Sequence, residues 1–198
     1  MRKNKILAVF LFLALLLTAG CDKSLENGSP EEAVTSFFEL LQKGRTKKAL
    51  DYLSEEERDG FILYSADTMP DAVTGVLSQM QCDIDADATL VDVANRTATV
   101  YVNVRSVDLY TIGAQVIQEI LPEIYKDAAI GVVWDDEKAM AAIEGRLDEA
   151  LESGDVPVSQ VQIEIHCVHT PDGWFIVPDN ALSNAVTGGF FHIFADYV

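Results

Sequence analysis

Apolar positions repeat with a helical period early in the chain and with a period of two further on. Val34, Phe37, Phe38 and Leu41 share one face of a helix that Ser29-Pro30-Glu31-Glu32 opens and Gly44 closes. The serine hydroxyl accepts from the first free amides, proline suits the first turn, and glutamate three residues on completes a capping box. Glycine takes the left-handed position at the far end. A second short helix carries Ala49, Leu50 and Leu53. Ser54 with Glu57 repeats the capping box and predicts a third, holding Phe61, Ile62 and Tyr64. Pro70 starts a fourth, with Val73, Val76, Leu77 and Met80 on one face.

The period then switches. Ile84, Ala86, Ala88 and Leu90 alternate with Asp83, Asp85, Asp87 and Thr89. After a turn at Asn95-Arg96, Ala98, Val100, Val102 and Val104 alternate with Thr99, Tyr101, Asn103 and Arg105. That pattern predicts an antiparallel hairpin with one buried and one wet face. Val161, Ile163, Ile165 and Cys167 repeat it, Thr170-Pro171-Asp172-Gly173 makes a tight turn, and Trp174 to Val177 return. The two hairpins are expected to join as one four-stranded antiparallel sheet.

Between the hairpins, residues 109–156 read as a helical insertion. Ile112, Val116, Ile120 and Ile124 mark its first half, which Pro122 is expected to kink or split. Asp135 caps the second half, with Met140, Ile143, Leu147 and Leu151. A short helix follows Pro178 and ends at Gly188-Gly189. The tail, residues 190–198, then places Phe190, Phe191, Phe194 and Tyr197 at helix-like spacing. The tail is expected either to pack back over the insertion and plug the open end of the domain, or to stay exposed and carry a partner site together with the insertion. The fold class is therefore α+β, in a single domain over residues 30–198.

The first residues belong to a different kind of segment. Arg2, Lys3 and Lys5 precede twelve uninterrupted apolar residues, Ile6 to Leu17. A spanning helix needs roughly 20, so the run has the length of a signal-peptide core. Thr18-Ala19-Gly20-Cys21 follows. It resembles the bacterial lipobox, in which the cysteine thiol is diacylated and the bond before it is cleaved. Residues 1–20 are thus expected to be a lipoprotein signal peptide, Cys21 the lipidated residue, and residues 21–29 a short tether. The expected location is the extracytoplasmic face of the cell membrane, held there by lipid.

Charge narrows the partners. The chain carries a net −18, and all the charges before Cys21 are basic, so the part beyond residue 20 stands at −21. So acidic a surface repels nucleic acid phosphates and anionic lipid alike. Acyl chains, each buried methylene contributing about 0.8 kcal/mol, are then what holds the protein at a bilayer.

Candidate chemistry is sparse. Asp83-x-Asp85-x-Asp87 opens like a calcium loop, but Ala88 and Ala94 stand where the loop needs glycine and glutamate. The three acids read instead as the solvent face of a strand. In His166-Cys167-Val168-His169 only Cys167 and His169 share a strand face, too few for structural zinc. No cofactor motif is present. Asp92, Asp108, Tyr101 and His166 are strand-borne groups that acid–base work could use, and alternation puts Tyr101 and His166 on the wet face. Cys82 and Cys167 are expected to stay unpaired, because the Ala98 to Val104 strand lies between theirs.

Helices first, then a four-stranded antiparallel sheet, behind a lipobox: this order resembles the NTF2-like (cystatin-like cone) lipoproteins of Gram-positive bacteria. The residues that carry the resemblance are Ser29-Pro30-Glu31-Glu32-Ala33-Val34 with Phe37-Phe38, the Ala49 to Ser54 helix end, and Asp172-Gly173-Trp174-Phe175-Ile176 with the closing helix to Gly188-Gly189. The resemblance implies a cone with a pocket between helices and sheet, for which Phe38, Tyr52, Val100, Ile163 and Trp174 are the candidate lining. The 109–156 insertion departs from the minimal fold. The function expected is that of a noncatalytic binding or interaction domain, with an envelope or membrane protein as partner. The alternative is a small-molecule enzyme or carrier using the cone pocket.

Overall fold

The structure, a computed structural model, describes residues 28–61 and 71–190. The signal segment, Cys21, Ile62, Tyr64, Pro70 and the tail beyond Phe190 lie outside the described residues.

Helix α1 (Pro30–Gln42) starts as its sequence predicts: the Ser29 hydroxyl accepts from the Glu32 amide at 3.2 Å. It ends in a Schellman turn. Gly44, at φ +67°, donates to Leu41 and Arg45 donates to Leu40, at 2.9 and 2.8 Å. Ala33, Val34, Phe37, Phe38 and Leu41 are fully buried. Helix α2 (Thr46–Ala49), a 3₁₀ turn (Leu50–Tyr52), helix α3 (Glu55–Arg58) and helix α4 (Asp71–Gln79) follow.

The expected capping box at Ser54 does not form. Ser54 is tied to the sheet: its backbone N–H donates to the Ile176 carbonyl at 2.8 Å, beside a parallel bridge from Leu53 to Ile176. Its hydroxyl is buried without a partner, and α3 is a single turn that buries nothing. Tertiary pairing has overridden a local signal. Phe61, expected on that helix, is nonetheless buried, edge-on to Phe37 with ring centroids 6.2 Å apart.

Strands β1 (Gln81–Asp92), β2 (Thr97–Val107), β3 (Val158–Thr170) and β4 (Gly173–Val177) form one antiparallel sheet in the order β1-β2-β3-β4. Ile84 faces Val102, Val102 faces Ile163, and Cys167 faces Ile176. The inner positions of β2, from Ala98 to Val104, are buried, as are Ile163, Ile165 and Cys167.

In β1 the expected alternation fails halfway. Asp85 pairs with Tyr101 and Leu90 with Thr99, so five steps on β1 oppose two on β2 and three residues are extra. An odd excess reverses the face of everything beyond it. Leu90 therefore points out and is 61% exposed.

The insertion is an antiparallel pair, α5 (Leu109–Ala129) and α6 (Asp136–Glu152). Asp135 caps α6 as expected, accepting from the Lys138 amide at 2.8 Å. Pro122 does not split α5, which runs unbroken for 21 residues. Pro122 and Gln118, whose carbonyl loses its donor, both sit on the exposed side, where water replaces the missing bond. Helix α7 (Asn180–Val186) closes the described chain.

Two apolar clusters result. The larger joins the inner face of the sheet to α1, α7, Phe61, Leu77 and Met80. The smaller joins Leu109, Ile112, Val116 and Ile120 of α5 to Leu147 of α6, with Val76, Val107 and Phe190. Neighbouring residues of α4, Val76 and Leu77, thus face different clusters, and the insertion packs on α4 and on the end of β2 at Val107. Phe190, where the tail begins, is buried in the smaller cluster.

Both Cys82 and Cys167 are free thiols. Cys82 lies opposite Val104 and Cys167 opposite Ala98, with β2 between them. Burial, then nearby carboxylates, pushes Cys82 up to about 11 and Cys167 to about 12. The folded state holds these protons while the unfolded chain releases them from about pH 9, so the thiols remove stability as pH rises from there through 11 to 12. At pH 8 the native protein is expected to take up iodoacetamide slowly. Unfolded without reductant, it should alkylate at both residues. A reductant requirement would show a disulfide and a different strand order.

Candidate functional site

The inner face of β2 does not end at Val104. Its alternation continues to Ser106, and that of β3 runs from Ile163 through Val161 to Ser159, which lies opposite Ser106. A cavity of about 390 Å³ opens over this end of the sheet. Its walls are the two strand ends, Asp108 and Tyr110 at the start of α5, Asn184 and Ala185 of α7, and Gly188-Gly189.

Each wall is held by local chemistry. Asp179 caps α7, accepting from the Leu182 amide at 2.7 Å. The turn after α7 reaches β2 closely, because Gly188 carries no side chain: a Cβ there would lie 2.1 Å from the Val107 carbonyl oxygen. The Gly188 carbonyl then accepts from the Tyr110 amide at 3.1 Å. Asp108 caps α5, its two oxygens accepting from the Thr111 amide and hydroxyl at 2.9 and 2.7 Å. Ser106 is only 6% exposed, lines the cavity, and has no hydrogen bond from its hydroxyl to a described residue. Its free valence therefore faces the cavity.

Of the expected pocket residues, Ile163 alone reaches this cavity. Phe38, Val100 and Trp174 lie inside the packed larger cluster, and Tyr52 is half-buried against its margin. Phe38 meets Phe37 edge-on at 5.4 Å, and Trp174 meets His169 edge-on at 5.0 Å. The space between α1 and the sheet is filled by side chains. Ser106, Ser159 and Asn184 were not anticipated. A signal for the two serines was present: both are polar residues at inward positions of otherwise apolar alternations.

The acid–base candidates have other employment. Asp92 holds the β1–β2 turn, accepting from the Asn95 and Ala94 amides and the Asn95 side chain, led by the Asn95 amide, and these bonds keep its carboxyl below the usual range. Asp108 is a helix cap. Tyr101 is half-exposed and His166 exposed on the outer face, with His166 Nδ1 3.3 Å from the Thr99 hydroxyl. Asp83, Asp85 and Asp87 are exposed along β1. Among the described residues no cluster of three or more histidine, cysteine or carboxylate side chains is arranged to hold a metal.

A second feature stands at the far end of the insertion. The turn between α5 and α6 exposes Ile130 and Val133, 74% and 83%, beside Tyr125 and Val132. This apolar tip is clamped from beneath. Trp134 Nε1–H donates to Asp127 Oδ2 at 2.8 Å, Lys138 Nζ reaches the same oxygen at 3.2 Å, and the ammonium lies 4.4 Å over the Trp134 ring. The Val132 amide donates to the Asp127 carbonyl at 2.9 Å. The Trp134 and Lys138 donors hold the Asp127 carboxyl below its ordinary range.

No family model matches the chain, and no curated protein or solved structure matches it either. Among the described residues no helix is long and apolar enough to cross a membrane.

Proposed function

We propose that this chain is a lipid-anchored extracytoplasmic protein with an NTF2-like domain that binds a protein partner without catalysis. The observation that carries the reading is the clamped tip of the α5–α6 turn. Two large aliphatic side chains are held out to solvent by a three-residue Asp127–Trp134–Lys138 network. Fixing such a loop before binding removes an ordering cost that association otherwise has to meet.

Charge selects the occupant. From Leu109 to Glu152 the insertion carries ten acids against three bases. An anionic bilayer and a second copy of this acidic chain are both repelled. An envelope or membrane protein with an apolar pocket rimmed by lysine and arginine is complementary. The polarity of the domain supports this arrangement. The Gln42 side chain donates to the Met80 carbonyl, just before β1 begins, so α1 starts at the end of the sheet that bears the β1–β2 turn. The tether thus joins one end of the sheet, while the insertion is rooted at the other.

Anchoring and binding are tested separately. Mass spectrometry of the native membrane fraction is expected to find Cys21 as an acylated N-terminus, and Cys21→Ala is expected to release the protein from the membrane. An unmodified Cys21, or unchanged attachment of the variant, overturns the anchor. For the tip, a photo-crosslinker at position 133 in native membranes is expected to yield one protein adduct. Its crosslinked peptide should be apolar with flanking basic residues, and Ile130→Asp should abolish the adduct. Adducts with lipid or with the same chain would refute a protein partner.

A further inference from the structure

We infer that the cavity at the β2–β3 end is a binding site for a small uncharged ligand, apolar over most of its surface and bearing one hydroxyl or carbonyl group. The site is separate from the hairpin tip and does not depend on the partner reading. At about 390 Å³ it falls within the range of ligand pockets, roughly 300–1,000 Å³.

The chemistry of the walls sets the class. Val161, Ile163, Ala181 and Ala185, with the two glycines, make most of the lining apolar. Among the described residues no lysine, arginine or histidine lines it, so an anion would lose its water and gain no counter-ion from them. Among the described lining residues Asp108 is the one charged group, and it opposes an anion further. Both its oxygens already accept from Thr111, which ties the carboxylate to the start of α5 and leaves an entering ammonium only their second lone pairs. Ser106 supplies the specific contact. The residue is 6% exposed, its hydroxyl has no described partner, and it lines the cavity together with Ser159 and Asn184. A buried hydroxyl is satisfied by one oxygen that both accepts and donates, or by a carbonyl that accepts.

The test uses three fragments of matched shape: benzyl alcohol, toluene and benzoate. They are titrated into the isotopically labelled chain lacking residues 1–21, which keeps every described residue, and amide resonances are followed. Benzyl alcohol is expected to shift the Gly188 and Gly189 amides and the Asn184 side-chain amide saturably. Toluene should bind more weakly by a factor on the order of five, the worth of one hydrogen bond. Benzoate should leave these signals in place. Ser106→Ala should erase the preference for benzyl alcohol over toluene. Should that variant not fold, Val161→Trp at a position 40% exposed blocks the cavity instead, and all three fragments are then expected to be silent. Absence of saturable shifts with benzyl alcohol, benzoate binding as tight as benzyl alcohol, or shifts that persist in Val161→Trp would each overturn the site. The acylation and crosslinking experiments read neither these amides nor these fragments.

Discussion

Gly188→Ala is expected to cost about 2–5 kcal/mol of stability, or to prevent folding. The residue sits at φ +58°, where an L side chain costs roughly 1–2 kcal/mol. The new methyl would also meet the Val107 carbonyl oxygen at 2.1 Å, a backbone atom that moves only if the strand end moves. Overpacking of this kind typically adds about 1–3 kcal/mol. For a domain of this size the sum lowers the melting temperature by roughly 4–20 °C. Gly44→Ala is the control. Its φ is +67°, but nothing lies within 4 Å of the added Cβ, so only the conformational cost of about 1 kcal/mol applies. Thermal melts of the two variants side by side check the argument. Equal losses would mean that the close approach of the α7 turn to β2 is not what makes Gly188 necessary.

Phe38→Ala is expected to remove about 3–5 kcal/mol, the usual range for a fully buried phenylalanine. Total stability for such domains is only about 5–15 kcal/mol, so a sizeable unfolded fraction should be visible in mild urea. The measurement also discriminates between two environments for this ring. A phenylalanine lining an open pocket would lose little on truncation, because water or ligand already occupies one side. A urea midpoint within about 1 kcal/mol of the parent would therefore place Phe38 at a cavity wall instead of in the packing between α1 and the sheet.

Legibility in the sequence followed how locally each feature is determined. The α1 boundaries were readable because Ser29, Pro30 and Gly44 act on amides and carbonyls within a turn. Strands β2 and β3 were readable because each is paired on both sides, so their alternation is enforced along most of their length. Strand β1 was readable only to Asp85. The three extra residues that follow carry no local mark that separates them from continued pairing. Ser54 misled for a related reason: its capping geometry competes with a bond to Ile176, which is more than a hundred residues away in sequence. The cavity at the β2–β3 end was not foreseen. Of the residues expected to line a cone pocket, Ile163 reaches it, whereas Phe38 and Trp174 are buried in the larger cluster. Large rings at inward positions mark a core more often than a pocket. Small polar residues at inward positions, Ser106 and Ser159, were the better indication.

The excess residues in β1 bear on how the protein behaves when crowded. A sheet with two long regular margins invites other chains to extend it. Here one margin is interrupted after Asp85, so the hydrogen-bonding groups of its outer half fall out of step with those of an incoming strand, and aspartates line it. The other margin, β4, is five residues long and already engaged at Ile176 by Leu53 and Ser54. Neither side offers a template, and a chain that is 49% hydrophobic is thereby kept from assembling through its strands. In concentrated solution fibrous aggregation therefore finds no open strand edge among the described residues from which to start.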